Sequence, residues 1–222
     1  VVFRSLRSPA VESNEEPLTR SDLAGLIRRP EVLALLAALF FVTGVEGGLF
    51  TWLPYYAQAE LPGGWAELTL TAMLAAYIPG RFACGALTER LGPLTLLVGV
   101  LGLLLPAFAF TFFVADGLAV LGGVVAIGLL ISGVFPTMMA YATDAVPEYS
   151  GPVNALASAV SSVSVGGVPA VMGVVVGGSD AATAMRLLVV PVIAALVVIV
   201  LARVAEGRRD ARATGGSATG DG

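Results

Sequence analysis

The chain has 222 residues, of which 57% are hydrophobic and only 13% charged, with a net charge of −4 and a mean hydropathy of +0.89; soluble domains carry about a quarter charged residues. Histidine is absent and Cys84 is the only cysteine, which excludes disulfide frameworks, Cys/His metal centres and histidine-based catalytic triads. The acidic balance offers no basic face for nucleic acid, and nothing in the chain calls for a cofactor. The apolar residues come in long unbroken runs of the roughly 20 residues that one helix needs to cross a bilayer. The expectation is an all-α integral membrane protein with six transmembrane helices.

In chain order, residues 1–29 are polar, with Glu12, Asn14, Glu15, Glu16 and Pro17 ahead of the Arg28-Arg29 pair. They lack the charged-then-apolar pattern of a signal peptide, so the sequence predicts a cytoplasmic linker with a short amphipathic stretch over 21–27. The chain does not begin with Met and reads as the interior of a longer protein. Residues 30–205 are the transmembrane domain, with spans predicted over 32–56, 68–87, 94–114, 118–141, 153–176 and 185–204. Between them lie turn signals: Leu61-Pro62-Gly63-Gly64, Leu91-Gly92-Pro93, Asp116-Gly117, the segment from Pro147 to Pro152, and that from Gly177 to Asp180. Residues 206–222, rich in Gly, Ser, Thr, Ala and Arg, are expected to be a disordered cytoplasmic tail. Cys84, inside an apolar segment, reads as a buried, inert thiol.

All twelve basic residues are arginine, and their placement sets the orientation. Arg4, Arg7, Arg20, Arg28 and Arg29 precede the first span, and Arg203, Arg208, Arg209 and Arg212 close the sixth. Arg90 follows the second span, with Arg81 just inside the membrane before it, and only Arg186 falls on the opposite side. Basic residues are retained on the cytoplasmic side, so both termini are expected to be cytoplasmic. Each span holds a proline (Pro54, Pro79, Pro106, Pro136, Pro169, Pro191). Such kinks are tolerated in membrane bundles because neighbouring groups satisfy the freed carbonyls. Gly166, Gly167, Gly173 and Gly177 suggest close helix packing along the fifth span.

The segment Gly80-Arg81-Phe82-Ala83-Cys84-Gly85-Ala86-Leu87-Thr88-Glu89-Arg90-Leu91-Gly92-Pro93 ends the second span and forms the loop after it. Its spacing resembles the loop motif of the major facilitator superfamily, G-x-x-x-[DE]-R-x-G. Gly85 is placed for close helix contact and Gly92 for a sharp turn. Glu89 and Arg90 are placed to pair across helix ends or with a helix dipole, as a gating latch. Further elements are similar to fucose-permease-like sugar symporters. Glu46 in Thr43-Gly44-Val45-Glu46-Gly47-Gly48-Leu49-Phe50-Thr51-Trp52 resembles their seventh helix, Phe135-Pro136-Thr137 their tenth, and Val165-Gly166-Gly167-Val168-Pro169 their eleventh. The resemblance covers residues 30–204. It implies the C-terminal six-helix half of a twelve-helix fold, built of two inverted three-helix repeats. Ser150 stands where the superfamily often carries an arginine. The resemblance implies a secondary active transporter half in the cell (plasma) membrane, moving a small polar solute, a sugar, with proton or sodium coupling. An N-terminal six-helix half, in the same longer chain or a separate polypeptide, would be its partner. The alternative is a non-transporting scaffold or sensor derived from such a half. An intramembrane enzyme has least support, since the spans hold no histidine, paired carboxylates or metal-ligand cluster.

Glu46 is the only acidic residue deep inside a span. An ionisable group at that depth costs at least about 2.5–3.5 kcal/mol and is retained only with a partner or a watery cavity. It either binds solute or proton, or is a hydrogen-bonded structural residue. Asn154, Ser158, Ser161, Ser162 and Val165 form one face of the fifth span, which either lines a pathway or bonds to a neighbouring helix. Trp52, Tyr55 and Tyr56 serve either as interfacial anchors or as a stacking surface for a sugar ring. Phe135 and Met139 are expected to pack against neighbouring helices.

Overall fold

The computed structural model describes residues 25–177 and 180–217. Most of the expected linker, residues 1–24, and the last five tail residues, 218–222, lie outside the described residues. Six helical stretches are long and apolar enough to cross a membrane: Pro30–Glu60, Trp65–Leu91, Pro93–Val114, Leu118–Ala145, Pro147–Val174 and Ala181–Arg209. These are the first to sixth spans below. Among the described residues there is no strand. Each connection is at most a few residues long, which forces sequential spans to run antiparallel. An even number of crossings returns the chain to its starting side, and Arg209 at the end of the sixth span pairs with Glu31 at the start of the first.

The packing has an internal symmetry. The first span packs most extensively on the fifth, and the second on the fourth; the first also meets the sixth as the third meets the fourth, and the third packs on the sixth. Exchanging spans one, two and three for four, five and six interchanges the first two pairings and the next two and leaves the third–sixth pairing in place, as two three-helix repeats require. Leu39, Leu49, Leu53, Leu101, Phe108, Ile127 and Met138 are fully buried at the centre.

The tightest approach between the first and fifth spans is at the first span's Gly44 and Gly47. A side chain at Gly47 would strike the backbone of Val165, and one at Gly44 would strike Val168 and Ser164, whereas Gly166 and Gly167 face open space. Of the fifth-span glycines expected to pack closely, Gly173 meets Trp52 of the first span while Gly166 and Gly167 do not; periodicity does not say which helix lies opposite. Gly47→Ala is therefore expected to destabilise the bundle by about 1–3 kcal/mol, as overpacking against immovable backbone does. Gly166→Ala should be close to neutral. Thermal unfolding in detergent distinguishes the two.

Two prolines break their spans rather than bend them. Pro136 sits in the first turn of Val134–Ala145 and Pro191 in the first turn of Val189–Ser217, and the preceding helices end at Ile131 and Leu187. A proline offers no amide and its ring crowds the carbonyl four residues back, so the chain breaks there and restarts with proline where its missing N–H costs nothing. The last helix runs on to Ser217, through much of the tail expected to be disordered from residue 206. Ala205, Glu206, Arg208, Arg209, Ala211 and Arg212 are good helix formers, and adding residues to a helix already nucleated in the bundle is cheap. The Arg209–Glu31 pair ties that extension to the first span.

Candidate functional site

Glu46 lies midway along the first span and is half-buried. Tyr77 of the second span donates its hydroxyl to Glu46 Oε1 at 3.2 Å. One turn further along the second span, Arg81 reaches across to the fourth: its Nε donates to Ser132 O at 3.3 Å. Its guanidinium also sits over the Tyr77 ring, 5.9 Å from the centroid. Ser132 O is the carbonyl four residues before Pro136, the one whose helical donor proline removes. Gly80 makes the approach possible, since any side chain there would collide with Leu129 O and Ser132 Oγ. Spans one, two and four therefore meet in one polar cluster of Glu46, Tyr77, Arg81 and Ser132.

The other expected site residues lie elsewhere. Trp52, about 9 Å along the helix axis from Glu46, is half-buried; its Nε1 donates to Pro169 O at 3.4 Å, and its ring lies where a side chain at Gly173 would touch it. Tyr55 is 62% exposed, whereas Tyr56 is buried and donates to Thr111 O at 3.3 Å. Gly166 of the fifth span stands level with Glu46, because Gly44 and Gly47 of the first span meet Val168 and Val165 of the fifth. Asn154 is about 18 Å from that level by helical rise, and Ser158 about 12 Å. Both are exposed, and neither touches the Glu46 cluster. On the same face Ser162 donates back to Ser158 O at 2.8 Å, and Ser161 Oγ is buried with no hydrogen-bond partner among the described residues. Ser164, on the other face, donates to Phe40 O of the first span. Phe135 and Met139 pack against the core.

Gly85 and Glu89 of the loop motif line a cavity of about 580 Å³ between the second and fourth spans, together with Arg81, Cys84, Pro136 and Thr137 among others. Gly92 takes φ 76°, a left-handed turn that lets the third span start at once with Pro93. Gly85 makes no close helix contact: nothing lies within 4 Å of a side chain built there. Glu89 and Arg90 are exposed, and neither forms an ion pair among the described residues. Arg90 lies in the last turn of its helix, where a cation complements the dipole. Ser150 opens the fifth span's long helix, Ser150–Val176. Among the described residues no group of three metal-ligating side chains comes together.

Sequence reasoning singled out Glu46 as a candidate, did not connect it with Tyr77, and treated Arg81 as a topology signal. The signal was present: an ionisable residue inside a span marks a functional position by default, and Tyr77 and Arg81 are four apart, on one helix face.

The six-span arrangement is similar to solved structures. A crystal structure of the E. coli fucose:proton symporter FucP matches at a TM-score of 0.74 and 20% identity, over 82% of this chain and 45% of that one. FucP in the outward conformation, described as a Major Facilitator Superfamily transporter, matches at a TM-score of 0.71 and 20% identity, over 87% and 48%. The chain thus spans about half the length of the solved structures it matches. No curated protein matches it by sequence. The model of the Major Facilitator Superfamily matches residues 1–169 and 64–219. With six apolar spans packed as two repeats and a family match over most of its length, this multi-pass membrane protein belongs to the Major Facilitator Superfamily.

Proposed function

We propose that the chain is the C-terminal six-helix half of a secondary active transporter, moving a small polar solute of the sugar class by alternating access. Coupling is to protons or sodium, the location is the cell membrane, and both termini are cytoplasmic. An N-terminal six-helix half completes the pathway. The observation that carries this reading is the Glu46–Tyr77 hydrogen bond inside the membrane. A carboxyl group at that depth is costly to charge, and a phenol donor beside it makes a polar centre able to exchange a proton or accept hydrogen bonds from solute hydroxyls. The fold shared with a fucose:proton symporter supports the sugar class. Uptake of labelled sugars into proteoliposomes holding both halves, with and without an imposed proton or sodium gradient, tests it. Gradient-independent background uptake for every sugar would overturn it.

In this reading Glu89 and Arg90 latch the inner gate, and their exposure leaves them available to groups beyond this chain. Arg90→Ala is expected to shift the balance between inward-open and outward-open states severalfold while leaving folding intact. Labelling of cysteines engineered on the two faces reads that balance. An unchanged pattern would leave Arg90 with its topological role alone.

A further inference from the structure

We propose that Arg81 is a positioning residue that clasps the second span to the break in the fourth, and that Glu46 competes with Ser132 for it. Pro136 deprives Ser132 O of its helical donor, and an unsatisfied carbonyl within the membrane is costly. Arg81 Nε is the donor that replaces the missing amide. Around this bond the two spans fit without side chains: Gly80 lies on Leu129 O and Ser132 Oγ, and Gly133 lies on Cys84. Losing the clasp leaves the fourth span free to swing about Ser132-Gly133, because its helical hydrogen-bond ladder is already interrupted there.

Glu46 is the second claimant on Arg81. The charged and titratable groups acting on it are Tyr77 and Arg81, both from the second span. The fifth and sixth spans bring Ser164, Val168, Met172 and Leu188 against the glycines flanking it, and none of these ionises. A protonated Glu46 accepts from Tyr77 and carries no charge to draw Arg81; once ionised, it attracts the guanidinium that lies against the same tyrosine ring. Drawing Arg81 away from Ser132 O would release the break. This second step rests on the proposed proton exchange at Glu46, whereas the clasp does not.

Cys84 is a native reporter, being the only cysteine and buried against Gly133. The experiment measures its rate of modification by N-ethylmaleimide in the purified full chain, divided by the rate for the unfolded chain at the same pH. Arg81→Gln should raise the ratio by at least about tenfold, the loss of one hydrogen bond from a charged donor. Arg81→Lys, which keeps a donor, should raise it less. Pro136→Ala, which restores the helical amide, should bring the Arg81→Gln ratio back to within about threefold of the parent by the same reckoning. No increase in Arg81→Gln, or no rescue by Pro136→Ala, overturns the clasp. From acid to alkaline pH the parent ratio should rise and that of Glu46→Gln should stay flat. If both stay flat while the rescue holds, the competition is wrong and the clasp stands. Neither result depends on measuring uptake, so failure of the transport reading is seen separately.

Discussion

Reconstituted by itself, the chain is expected to give no solute uptake above empty liposomes, and uptake should appear when an N-terminal six-helix half is supplied. The reason lies in what the exposed faces carry. The sixth span exposes Val190, Ile193, Val197, Leu201 and Val204, an apolar strip suited to lipid. The fifth exposes Asn154, Ser158 and Ser162 with Gly166 and Gly167, and the second exposes Arg81 and Glu89 among its apolar residues. Polar groups facing hydrocarbon cost several kcal/mol each unless satisfied, so these two spans are suited to a protein or aqueous neighbour. Transport through a midplane site also needs two halves rocking about it. Cross-linking in membranes should therefore trap the chain with its partner half, or with a second copy when that half is missing. A monomeric chain with full uptake would contradict this.

The spans were legible because run length is a local property, and a bilayer imposes one length on every crossing. The turn at Gly92 was legible for the same reason. What was not legible depends on partners far apart in the chain. Pro136 announced a kink, but only the fold shows that Arg81, 51 residues away from Ser132, closes the carbonyl it leaves open. The small-residue seam was visible, yet local pattern could not say that Gly44 and Gly47, rather than Gly166 and Gly167, meet a neighbouring backbone. Composition also misled at the end of the chain. Gly, Ser, Thr, Ala and Arg suggested disorder from residue 206, whereas a helix already anchored in the bundle runs on to Ser217. Glu46 could be singled out because depth inside a span is readable from sequence, whereas its bond to Tyr77 depends on which helix faces it.

Glu46→Gln is expected to insert and fold normally but to lose either solute binding or the pH dependence of uptake, with the N-terminal half present. Glutamine keeps the shape and can still accept a hydrogen bond from Tyr77, so the contact between the first and second spans survives. It cannot take up or release a proton. If Glu46 carries the coupled proton, uptake by the parent changes with pH while uptake by the variant does not, and accumulation against a gradient falls to equilibration. If Glu46 instead holds solute hydroxyls, replacing a carboxylate acceptor by a neutral amide weakens those bonds, and affinity falls by about tenfold. Binding and uptake measured across pH for both forms separate the two outcomes: a flat profile at unchanged affinity assigns the proton, and weakened affinity assigns the solute. The sodium-coupled case is read in the same experiment, because uptake would then follow the sodium gradient at constant pH. Unchanged affinity together with an unchanged pH profile would make Glu46 a structural residue, there only to bond Tyr77 across the first and second spans.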